Sequence, residues 1–176
     1  MKTRSITPNA VAAGLAIVAS MMLAGCQREA DDGPTQLTGR LFVFDYRVST
    51  ATYMITLKKI APIPDGAVAV AEFENPMGGD PLVIRQKIYS FWDKITLESP
   101  DLRCVRKDRP YSVSIKLVDA GDKTIQTIKT QVKSDLDQSV LATRPLIVGP
   151  AYVKNPDVFK ADGSVDYGHD DACPTT

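Results

Sequence analysis

Tyr111-Ser112-Val113-Ser114-Ile115-Lys116-Leu117 decides the fold class of this chain. Apolar side chains at 111, 113, 115 and 117 alternate with polar ones, the period-two pattern of a strand with one face on a core and one on water. Asp119-Ala120-Gly121-Asp122 follows at once and has turn composition. The next stretch, 125–132, carries Ile125, Ile128 and Val132 at spacings that also suit a helix. Threonines at 124, 127 and 130 favour a strand that returns beside the first, with a bulge between Ile125 and Ile128 absorbing the change of phase.

Outward from this hairpin, period two dominates. Phe42, Phe44, Tyr46 and Val48 form one alternating set and Tyr53, Ile55 and Leu57 another. Residues 67–73 are short, Val/Ala-rich and bounded by Pro64-Asp65-Gly66 and by a loop over 75–81, which fits a central strand. Residues 82–97 read as two short strands or one bent strand. Ser134-Asp135-Leu136-Asp137 offers an N-cap with acid in the first turn, so a short helix is expected near 134–142. Pro145 and Pro150 bracket a last apolar piece at 146–148. The expected fold is all-β: an antiparallel β-sandwich of about seven strands. The tyrosine-led hairpin resembles the last two strands of immunoglobulin-like and fibronectin-type domains, which implies an immunoglobulin-like sandwich. A transthyretin-like sandwich would leave a similar trace.

The N-terminus has the build of a secretory signal. Lys2 and Arg4 are the basic region, residues 10–23 the apolar run, and Ala24-Gly25 the small residues before a cut. That run is shorter than the roughly 20 apolar residues needed to cross a bilayer as a helix. Leu23-Ala24-Gly25-Cys26 resembles the lipobox of bacterial lipoproteins. The resemblance implies cleavage before Cys26, a diacylglyceryl group on its sulfur and an acylated new N-terminus. Gln27, where an Asp commonly retains such proteins at the inner membrane, implies the outer membrane, facing the periplasm. Covalent lipid on Cys26 is the only non-protein group expected; no cofactor is.

Four segments follow: a signal peptide over 1–25, a flexible lipidated tether over 26–38, a sandwich domain over 39–153, and a polar C-terminal segment over 154–176. With Cys26 assigned to lipid by the resemblance, Cys104 and Cys173 remain, and beyond the inner membrane they are expected to pair and tie that segment back. Two unpaired thiols, or a bridge to another chain, are the alternatives. Removing 1–25 leaves 151 residues, with 19 basic against 21 acidic side chains. That balance gives no bias toward nucleic acid.

Little chemistry is signalled. The single histidine, His169, lies in a polar segment without a nucleophile motif, so no catalytic residue is assigned. Carboxylates are plentiful but no pair is marked for glycoside hydrolysis. Asp162, Ser164, Asp166 and Asp170 place oxygen atoms at calcium-loop spacing, yet Tyr167 and Cys173 stand where such a loop wants Gly and Glu, so this is a weak calcium candidate. Tyr89, Phe91 and Trp92 lie together; Trp92 reads as core, with an exposed binding patch as the rival. The candidate partner-binding loop is Asn75, Pro76, Met77, Gly78, Gly79 and Asp80, with Met77 at its tip.

The expected role is a membrane-anchored, non-catalytic module that binds another envelope protein through loops or a strand edge. The alternative is a lipoprotein binding a small molecule, glycan or calcium. A carboxylate-based hydrolase is the third possibility.

Overall fold

Period-two stretches become strands where they turn one set of alternate side chains inward; the alternation of Phe42 and Phe44 ends at Asp45, and Tyr46 and Val48 fall in the turn that follows. The computed structural model describes residues 33–168 and Cys173. Its strands are β1 (Thr35–Asp45), β2 (Thr50–Lys59), β3 (Val68–Phe73), β4 (Leu82–Lys87), β5 (Lys94–Glu98), β6 (Pro110–Val118), β7 (Thr124–Lys133) and the two-residue β8 (Ile147–Val148) and β9 (Val153–Lys154). Seven of them form two antiparallel sheets, ordered β1-β2-β5 and β4-β3-β6-β7, while β8 and β9 pair separately. This is a β-sandwich with immunoglobulin-like connections, since consecutive strands repeatedly change sheet.

Tyr53, Ile55, Leu57, Ile95 and Leu97 point inward from the first sheet, and Ala69, Phe73, Tyr111, Ile115, Leu117 and Ile128 from the second. Each large apolar side chain so buried contributes about 1.5–3 kcal/mol. Tyr53 stacks on Phe73 with ring centroids 5.2 Å apart, and Phe42 meets Tyr53 at 4.5 Å and Tyr111 at 5.5 Å. Tyr111 begins β6 and turns back on the connection before it. Its hydroxyl accepts from Arg106 N at 2.8 Å and lies 3.5 Å from the Cys104 carbonyl it donates to. That is the tyrosine corner of immunoglobulin-like sandwiches.

Residues 82–97 are two strands on different sheets, β4 beside β3 and β5 beside β2. Residues 124–133 are a strand: Leu117 pairs Gln126 and Val118 pairs Thr124, which leaves Ile125 as the bulged residue.

Three expectations are corrected. The tether does not extend to residue 38, because β1 begins at Thr35. Buried Gln126 acts as a surrogate ladder for that strand's start: its Oε1 accepts from Thr35 N (3.1 Å) and Thr35 Oγ1 (2.8 Å), and its Nε2 donates to Thr35 O (2.8 Å). The helix near 134–142 is reduced to one 3₁₀ turn, Gln138–Val140, capped by Asp137. Ser134 is buried and its hydroxyl is spent two residues on, donating to Leu136 O and accepting from Leu136 N. The boundary between 153 and 154 cuts the β8–β9 pairing, where Ile147 sits opposite Lys154. The following residues pack rather than trail: Val158 is fully buried, and the buried Asn155 side chain donates to Pro145 O at 2.7 Å.

Candidate functional site

The strands run between two ends. At the end where the chain enters at Gly33 lie the connections 60–67, 88–93 and 119–123. At the far end lie the turn 46–49, the loop 74–81, the connection 99–109 and everything after β7.

The loop at 75–80 belongs to the far end. Asn75 starts it, its Oδ1 accepting from Met77 N (3.0 Å) and its carbonyl from Gly78 N (2.8 Å). Gly78 and Gly79 have φ of 83° and 81°, a region that favours glycine, with nothing within 4 Å of where a Cβ would stand. Pro76 is buried and holds the loop down, while Met77 is exposed at its tip, as the sequence implied.

Beside the loop opens a groove of about 860 Å³ that runs to the edge strand β7. Glu72, Glu74, Lys129 and Lys133 give it both signs of charge. Glu74 is committed: its Oε1 takes Arg109 Nη2 at 2.8 Å and its Oε2 takes Ser112 N at 2.8 Å. Arg109 also lies over the Tyr111 ring, 4.5 Å from its centroid. On the opposite wall, Arg40 of β1 donates to Thr130 Oγ1 at 2.7 Å. Tyr53 donates to the Glu74 carbonyl at 2.8 Å, and burial, with the Glu74 charge second, pushes its hydroxyl far above the ordinary tyrosine range. It remains a neutral donor. Such a groove can hold polar or extended main-chain groups, and one of its carboxylates, Glu74, is taken up by Arg109. Sequence reasoning missed it because strands β1, β3, β6 and β7 and the 74–81 loop supply its wall, with no local signature.

The calcium spacing has another use. Asp162 Oδ1 accepts from Ser164 N (2.9 Å), and Lys160 N donates to Ser164 O (2.9 Å), closing a tight turn at Gly163 with Phe159 bridged to Val165. Asp166 accepts from Gly168 N (2.9 Å) and from Arg144 Nη1 (2.7 Å), so a guanidinium occupies the side a cation would take. Hydrogen bonds from Ser164 hold Asp162 below the usual carboxylate range, and Gly168 N and then Arg144 do the same for Asp166. Asp170 and His169 lie outside the described residues. Among the described residues no three His, Cys, Asp or Glu side chains converge as a metal site.

Cys104 is buried and joined to Cys173 with an S–S distance of 2.04 Å. Cys26 lies outside the described residues. Among those described, no helix is long and apolar enough to cross a membrane.

The near end carries the aromatic cluster. Tyr89 lies 5.0 Å from Trp92 and 5.6 Å from Phe91 between ring centroids. Trp92 is half-buried on the core, whereas Phe91 is 76% exposed and Tyr89 42%. Lys59 clamps this loop, its N donating to Asp93 O at 2.9 Å and its Nζ to Ser90 O. Ile60, 55% exposed, and Ala61 donate their N–H groups to Pro34 O at 2.8 and 3.2 Å, which ties the aromatic loop's neighbour to the point of chain entry. Trp92 thus packs on the core, and the exposed rings are its neighbours Tyr89 and Phe91.

No family model and no curated protein matches the chain. Among solved structures, an FMN-binding β-glucuronidase from Facaelibacterium prausnitzii L2-6 is similar over 58% of this chain and 15% of its own, at 18% identity and TM-score 0.37. An alkylpurine DNA glycosylase of Pseudomonas fluorescens, bound to DNA containing an abasic site analogue, is similar over 57% of this chain and 31% of its own, at 12% identity and TM-score 0.30. The chain spans less than a third of either, and at these scores nothing of their activities carries over.

Proposed function

We propose that the chain is a lipoprotein of the bacterial envelope, held by lipid on Cys26, whose sandwich is a non-catalytic module that binds another envelope protein at the end away from the anchor. The observation that carries the reading is the Leu23-Ala24-Gly25-Cys26 motif behind an apolar run. The disulfide fits an oxidising compartment. Gln27 favours the outer membrane, with the domain on the periplasmic side. Small sandwiches bind through loops or through a strand edge that accepts an extended segment. Here the protruding 75–80 loop, the two-signed groove and edge strand β7 adjoin, which suits such a segment with acidic and basic side chains near the middle of β7.

Crosslinking in native envelopes, read by mass spectrometry, tests the proposal. The expected result is an acylated Cys26 peptide and a protein partner that is lost when residues 75–81 are shortened to a Gly-Gly turn or when Lys129 and Lys133 are both changed to Glu. An unmodified Cys26 sinks the anchor; a partner retained by both variants sinks the binding site.

A further inference from the structure

We infer that the near end of the sandwich is a membrane-contact surface, on which Tyr89, Phe91 and Ile60 reach the headgroup–acyl boundary of the bilayer that holds Cys26. The inference rests on the lipid anchor proposed above and adds a second, side-chain contact to it.

The first support is covalent reach. Seven peptide steps separate Cys26 from Gly33, and at no more than about 3.5 Å each they hold Gly33 within about 25 Å of the acylated residue, however they are arranged. That length cannot be increased cheaply by peeling the start of β1. A Cβ at Gly33 would stand 2.2 Å from Gln126 Cδ, and Thr35 is held by three hydrogen bonds from the Gln126 amide. The far end is a strand's length further off, about 30 Å for the ten residues of β7. The covalent limit is tightest at the near end, where the chain enters the sandwich at Gly33.

The second support is what that end displays. Phe91 is the most exposed of the large hydrophobic side chains described, and it sits with Tyr89 over half-buried Trp92 in a cluster of three rings. Aromatic rings with an apolar body and a polar edge favour the interface between water and acyl chains. Lys87 lies over the Tyr89 ring, 5.4 Å from its centroid, where its amine can stay in the headgroup layer while its stem lies along the ring. Arg85 pairs with Asp122 of the β6–β7 turn at this end, so the surface carries both signs and does not require anionic lipid. Lipid on Cys26 supplies the affinity and these side chains fix the orientation.

Trp92 is the single tryptophan of the chain and reports on the contact directly. The full-length protein, purified with its acyl chains, is reconstituted in phosphatidylcholine vesicles with plain or brominated acyl chains. The expected result is loss of Trp92 emission in brominated vesicles, equal with and without anionic lipid. A Tyr89→Ser, Phe91→Ser double variant, at two exposed positions, floats with the vesicles but loses less emission. Unquenched Trp92 in a lipidated, floating protein overturns this inference alone. An unmodified Cys26 in a protein that stays off the vesicles overturns the anchor and this inference with it. A photocrosslinker at position 91 that captures a protein rather than lipid in intact envelopes also overturns it.

Discussion

The two ends of the sandwich are closed by different physics. The near end is closed by hydrogen bonds alone: the Gln126 amide on Thr35, Pro34 against Ile60 and Ala61, Lys59 against the 88–93 loop, and a hairpin in which Asp119 Oδ1 accepts from Gly121 N and Lys123 N. It leaves a compact ring cluster exposed. The far end adds a covalent tie: a disulfide spanning 69 positions, beside the Tyr111 corner and Gln138, whose side chain bonds both Val105 N (3.0 Å) and Leu102 O (2.8 Å). Its exposed apolar residues, such as Met77, Leu136 and Tyr152, are dispersed over separate segments. An end that turns the strands around and receives the incoming chain is closed by hydrogen bonds, one of them between residues 91 positions apart. An end that must hold residues 134–168 against the sandwich without a helix or a long strand needs a covalent link and buried amides.

The comparison breaks first, and most strongly, at the disulfide. Cys173→Ser opens a loop of about 70 residues and is expected to cost about 4 kcal/mol on the chain-entropy model. Urea unfolding measures the loss, and hydrogen exchange locates it: amides in 134–168 should lose protection well before those of β3 and β6. Trp92 emission under native conditions should stay as it is in the wild type. A changed emission would mean that the ends communicate and the division between them is false.

Next come two buried side chains, one at each end. Gln126→Met removes the amide that holds the Thr35 main chain at the near end, and Tyr111→Phe removes the hydroxyl that accepts from Arg106 N at the far end. Each is expected to cost about 1–3 kcal/mol, the penalty for stranding a buried polar group. Six positions of β6 separate Tyr111 from Leu117, the residue opposite Gln126, or about 20 Å along the strand. The double variant should therefore lose the sum of the two within about 0.5 kcal/mol. A larger deviation in denaturation experiments would show that the two closures are one cooperative structure.

What could be read from the sequence, and what could not, divides by how far apart along the chain the interacting residues lie. The alternation of residues 111–117 and of Tyr53, Ile55 and Leu57 is local, and it specified strands and buried faces directly. The Asn75-to-Asp80 loop was legible from Asn-Pro and Gly-Gly, which have only a few conformational uses. Residues 35–38 were taken for tether because Thr35, Gln36 and Thr38 are polar, yet the strand begins there because the amide of Gln126, 91 positions away, satisfies Thr35. Such a polar clip leaves no hydrophobic period. The same holds for the groove, whose walls come from four strands and a loop, and for the sheets joined by β4 and β5, decided by pairing with β3 and β2. Alternate oxygen-bearing residues at 162, 164 and 166 were ambiguous for a different reason. Side chains that can ligate calcium are the same ones that close turns on their own backbone.

The smallest expected effect sharpens the comparison most finely. Asp137 caps the 3₁₀ turn Gln138–Val140, its Oδ1 accepting from Ser139 N at 3.0 Å, and that bond is the leading cause holding its carboxyl below the ordinary aspartate range. A folded-state pKa below the unfolded one means a contribution present in full above the unfolded value, near 4, and lost as the pH falls through the lower folded value. Asp166, depressed by Gly168 N and Arg144, acts in the same direction on the same segment. Acidification below about pH 4 should therefore loosen residues 134–168 while the near end holds its structure. Asp137→Ala is expected to cost about 1 kcal/mol at neutral pH and to flatten part of the acid dependence, whereas Asp137→Asn, which still accepts from Ser139 N, should keep the cap and lose only the pH sensitivity. Amide exchange at Ser139 and Val140 across pH 3 to 7 separates the two variants. Equal protection in both would mean that the turn is held by Gln138 and its bonds to Val105 and Leu102, with no contribution from the cap.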